Sequence, residues 1–153
     1  MNTTPETEAL KGACALFMQD LLALPEEAIT KKFSPATRTV ADIVYEVNLV
    51  NDHVGMIMRG EEPFDWPDGD YVRAPEGFDT KQVVIDAFAE SSARIVATAE
   101  SFSAEKLREP LETDQGTKTR GERCGFMTVH LWYHSGQLNF IQTLLGDAAW
   151  HWK

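Results

Sequence analysis

Apolar residues recur at spacings of three and four in four stretches of the chain, and no stretch shows sustained two-residue alternation bounded by hairpin turns. That pattern predicts an all-α fold. Thr4-Pro5 offers a cap followed by proline at the first helical position, and Leu10, Ala13, Phe17, Leu21 and Leu24 then share one stripe until Pro25 ends it. Glu26 to Lys32 adds a helical turn before Ser34-Pro35 breaks the chain again. A second helix opens at Thr39, with Asp42 as the acidic partner three residues on, and closes at Gly60 after Arg59. Its inner stripe reads Ile43, Glu46, Val50, His53 and Ile57. Two ionisable groups on an apolar face need partners, because burying an uncompensated charge is costly.

Glu61 to Phe78 is rich in Pro, Gly, Asp and aromatic residues and reads as an ordered loop. A connection that long can cross the end of a bundle and start the next helix parallel to the last, which a tight turn cannot do. Asp79 with Gln82 resembles a capping box, and Val84, Ala87, Phe88, Ser91 and Ile95 trace a third helix ending near Glu100. Ser103 to Leu107 looks like one capped turn, and the polar stretch Glu112 to Arg123 a surface excursion. The fourth helix is expected from about Gly125 to Leu145, stopped by Gly146, with the stripe Met127, His130, Leu131, His134, Leu138, Ile141 and Leu145.

Composition sharpens this picture by exclusion. With 153 residues, 43% of them hydrophobic, residues 1–153 suffice for one compact domain with one core. The balance of 24 acidic to 14 basic residues, a formal charge of −10, repels phosphate backbones and anionic lipid, so nucleic-acid and membrane partners are set aside. The first residues lack the cationic and apolar runs of a secretion signal, and no apolar run reaches membrane-spanning length, which makes a cytoplasmic protein the expectation. Cys14 and Cys124 form no metal-binding spacing and read as reduced packing thiols.

The chemistry concentrates on the fourth helix. His130 and His134 are four apart, so both imidazoles share one face, about one turn or roughly 6 Å apart along the axis. That spacing suits a metal chelate, although surface pairs and core histidines satisfied by neighbours show it too. Both lie on the apolar stripe, where a neutral imidazole needs a partner for its second nitrogen. Position 131 is Leu, so the zinc-peptidase pattern with its adjacent glutamate is absent. In a bundle the remaining ligands come from a facing helix, and the second helix offers Glu46 and His53. Gln137 can orient a ligand or cap a neighbouring helix. His151 reads as a packing residue of the aromatic tail. Arg120 and Arg123 read as solvated loop charges, with receipt of an anionic substrate as the alternative.

The segment His130-Leu131-Trp132-Tyr133-His134-Ser135-Gly136-Gln137-Leu138 resembles the HxxxHxGQL signature of the DinB/YfiT-like superfamily, with Leu144-Leu145-Gly146 also in register. Thr39 to Glu46 is similar to the segment leading to that family's first metal-binding histidine. The resemblance implies a four-helix bundle of up-down-down-up topology, in agreement with the crossover loop inferred above. It also implies a divalent metal (Ni, Zn or Fe being compatible) on three side chains, with open positions for water or substrate. Here Glu46 stands where the first histidine belongs. A carboxylate with two histidines is a competent set for such ions, and Glu46 is favoured over His53 as the third ligand. The two are about 10 Å apart along a helix, too far to share one ion.

Relatives implied by the resemblance include thiol-dependent transferases and isomerases acting on small molecules. The expectation is therefore a metal held by Glu46, His130 and His134 that activates a low-molecular-weight thiol or a water for transfer or hydrolysis. The competing expectation is a non-catalytic dimeric binding or stress-related module with a structural metal or none. The family and the aromatic loop and tail also point to a homodimer.

Overall fold

The computed structural model describes residues 3–114 and 116–153, and their architecture follows from four long capped helices. They are α1 (Pro5–Ala23), α2 (Val40–Arg59), α3 (Lys81–Glu100) and, after a short α4 (Ala104–Arg108) and a hairpin of β1 (Pro110–Thr113) and β2 (Gly116–Thr119), α5 (Arg120–Leu144). Each long helix starts after a threonine, Thr4, Thr39, Thr80 or Thr119, whose hydroxyl accepts the backbone N–H three residues on. Gly60 ends α2 with a φ of 78°, a left-handed conformation that favours glycine.

Contacts between named residues give the helix directions. Lys81 Nζ donates to the Leu22 carbonyl at 2.8 Å and Lys11 pairs with Glu100 at 3.0 Å, so α1 and α3 run antiparallel. Arg94 holds Asp52 and Arg59 donates to Thr98, so α2 and α3 run parallel. Arg120, at the start of α5, donates to the Met58 carbonyl near the end of α2, so these two are antiparallel. The tail beyond α5 returns to the end of α1, where the Trp152 indole donates to Asp20 at 2.7 Å. The order is up-down-down-up, and the long 61–80 segment makes the crossover between the two parallel helices.

The predicted stripes are largely the observed core. Leu10, Phe17, Leu21, Val84, Phe88, Met127, Leu131 and Leu138 are fully buried, and the Phe17 and Phe88 rings meet at 4.7 Å. Ser91, the polar member of the third stripe, donates to Asn48 at 2.6 Å and accepts from Asn51 at 3.1 Å, so this buried hydroxyl is satisfied across α2 and α3.

Three local expectations are corrected. The cap of α3 is Thr80, not Asp79, and Gln82 bonds forward to Asp86 instead of back to a cap. Helix α5 begins at Arg120, because Thr119 and Glu122 form a capping box within the stretch expected to be a surface excursion. The hairpin overlaps that stretch, and β2 opens at Gly116 with a φ of 93°. Arg120 and Arg123 are consequently buried, at 7% and 5% exposure, and are not solvated loop charges.

Candidate metal centre

The antiparallel pairing of α2 and α5 sets Glu46 opposite the turn that carries His130 and His134. Glu46 Oε1 lies 3.4 Å from His134 Nε2 and 3.7 Å from His130 Nε2, and the two Nε2 atoms are 3.2 Å apart. The two carboxylate contacts are longer than good hydrogen bonds. They are close instead to the edges of a ligand triangle around one ion: bonds of about 2.0–2.1 Å at tetrahedral angles give edges of about 3.3 Å. Among the described residues this is the one group of three or more His, Cys, Asp or Glu side chains whose ligand atoms converge in this way. The chemistry of the donor set, one carboxylate and two imidazoles, fits a divalent transition ion.

Neighbouring groups fix how each donor faces the centre. Gln137 Oε1 accepts from His134 Nδ1–H at 2.7 Å, which leaves the Nε2 lone pair directed at the cluster. Arg38 Nη2 donates to Glu46 Oε2 at 2.6 Å and to the Asp42 carbonyl, so one carboxylate oxygen is tied down and Oε1 is left for the histidines. His134 is 1% exposed, packed edge-on by Tyr133, while Phe126 stacks on His130 with ring centroids 5.8 Å apart.

Electrostatics prepares the same donors for a cation. The imidazoles of His130 and then His134, reinforced by Arg38, hold the Glu46 carboxyl well below the usual range against the opposing effect of burial. Burial lowers the His130 pKa, against the opposing effect of its hydrogen bond to Glu46, and so favours the neutral imidazole that metal binding needs.

The other sequence candidates lie elsewhere. His53 is two turns beyond Glu46 on α2, with its ring edge-on to Phe64 and Trp66, and does not belong to the cluster. His151 Nε2 pairs with Asp147 at 2.7 Å in the tail. Arg120 is committed to the Met58 carbonyl and the Phe102 ring. Sequence reasoning missed Arg38. Its only signal was its place just before the Thr39 cap, two turns from Glu46.

Fold and site together define a four-helix bundle with a carboxylate and a histidine pair converging from two antiparallel helices. The chain belongs to the DinB superfamily, whose family model matches residues 9–138. A conserved protein from Enterococcus faecalis is similar in fold, with 19% identity, 96% of this chain and 99% of that chain covered, and a TM-score of 0.71. A DinB-like protein from Bacillus cereus superposes with 14% identity, coverage of 92% and 91%, and a TM-score of 0.71. A mutant mycothiol-dependent maleylpyruvate isomerase does so with 14% identity and a TM-score of 0.68, over 87% of this chain but only 59% of the isomerase. At these identities the likeness is one of fold. No curated protein matches the chain in sequence.

Proposed function

We propose that the chain is a metal-dependent DinB-like protein in which Glu46, His130 and His134 hold one divalent ion and a small thiol or a water completes the site. The observation that carries this reading is the triangle of ligand atoms with edges of 3.2, 3.4 and 3.7 Å. When bound, such an ion lowers the pKa of a coordinated thiol or water and so supplies a nucleophile near neutral pH. The protein's own part is orientation: Gln137 fixes the His134 tautomer, Arg38 fixes the carboxylate, and the Phe126 and Tyr133 rings shield the imidazoles. The thiol is favoured as co-substrate by the fold likeness to the mycothiol-dependent isomerase, and addition of the activated nucleophile to a small electrophile is the proposed chemistry.

The ion-loaded protein is a homodimer in this reading. Val129, Phe140 and Leu144 form an exposed apolar stripe along the outer face of α5 that a second copy can cover. Cobalt substitution tests the thiol: a small thiol added to the cobalt-loaded protein should produce a thiolate-to-cobalt charge-transfer band that the His130→Ala variant lacks. Cobalt uptake without such a band for any small thiol would remove the thiol from the proposal and leave water activation.

A further inference from the structure

Beside the cluster, toward the start of α5, a cleft of about 840 Å³ opens between α2, the crossover segment and the hairpin. Arg123 lines it while only 5% exposed. Its Nη2 donates to Thr113 Oγ1 at 3.2 Å, yet its Nε is buried without a partner. His53 Nδ1, on the facing helix, is likewise buried without a partner. A guanidinium remains charged at any relevant pH, and a desolvated one is costly unless an anion matches its planar fork. Phe64, Trp66 and Phe126 supply apolar walls to the same space.

We propose that this cleft binds a small monocarboxylate with a flat apolar body, the carboxylate on Arg123 and His53 and the body against Phe64, Trp66 and Phe126. The rim disfavours phosphate-like dianions: Glu62, Asp65, Glu112 and Asp114 stand exposed there against Lys118, while Glu61 is paired with Arg59. Arg123 precedes His130 by seven residues, and His53 follows Glu46 by seven. The carboxylate subsite therefore lies about 10 Å along the helices from the cluster. That spacing suits a substrate anchored at its acid end with its reacting end at the metal. This last feature rests on the proposed metal site; the carboxylate subsite does not.

The test is an NMR titration of 3-phenylpropionate, its neutral amide and inorganic phosphate into metal-free and zinc-loaded protein. The acid should bind at least about tenfold more tightly than the amide, shift the Arg123 Nε–H signal, and resist competition by phosphate. Arg123→Gln should erase the preference for the acid. Equal binding of acid and amide, displacement by phosphate, or a preference that survives in Arg123→Gln would overturn the proposal. If Arg123→Gln fails to fold, the wild-type ratio and the Arg123 signal decide. Acid preference in a protein that takes up no zinc would keep the cleft and remove the metal reading, and zinc uptake without acid preference would do the reverse.

Discussion

Glu46 is held from three directions, by an arginine on one oxygen and by two histidines facing the other. Its place on the inner stripe was legible in the sequence, because an acid there needs partners. Arg38 was not, since the fold alone brings a residue outside the helix to that carboxylate. Gln137 acts through His134, so Gln137→Leu is expected to weaken zinc binding about 10–100-fold while leaving the circular dichroism spectrum unchanged, as calorimetric titration would show. Asp20 offers a test by pH. It is 1% exposed, and burial raises its pKa against the opposing hydrogen bonds of Ser135, Trp152 and Asn139. A raised folded-state pKa means that the stability it contributes is full below about pH 4 and is lost as pH rises through the folded value. Asp20→Asn keeps an oxygen for the Trp152 indole. At pH 7 it should stabilise by on the order of 1 kcal/mol, about 2–4 °C in Tm. The gain should fade below about pH 4.

At the scale of elements, the helices were legible because burial and capping agree: Thr4, Thr39 and Ser103 were readable as caps, and each predicted stripe faces the core. The hairpin was not, since four-residue strands are too short for alternation to stand out and theirs are mostly exposed. Nor was the first turn of α5, whose Arg120 and Gly121 look like surface until α2 and α4 close over them. Thr119 carries that turn through reciprocal bonds with Glu122. Thr119→Ala should therefore cost about 1 kcal/mol, read as a fall of about 2–4 °C in Tm, and should speed hydrogen exchange at the start of α5.

Across the whole molecule, the crossover matters most. It makes α2 and α3 parallel, so that α2 can face α5 antiparallel and bring the acid of one to the histidine pair of the other. The length of the loop made this topology readable before any contact was known. Which of Glu46 and His53 faces the histidine pair was not readable from the stripe alone, because both lie on it. The outer face of α5 bears on the proposed assembly: Phe140 is 64% exposed and is not among the clustered side chains. Phe140→Glu should convert a dimer to a monomer in light scattering, and an unchanged mass would remove α5 as the interface.

The central claim is that Glu46, His130 and His134 form one metal site. It is tested most directly by metal content, measured on protein purified without an affinity tag and on its Glu46→Ala and His134→Ala variants, each checked for folding by circular dichroism. The expected result is about one divalent ion per chain in the unaltered protein and a large loss in both variants. Unchanged metal content in both folded variants would contradict it.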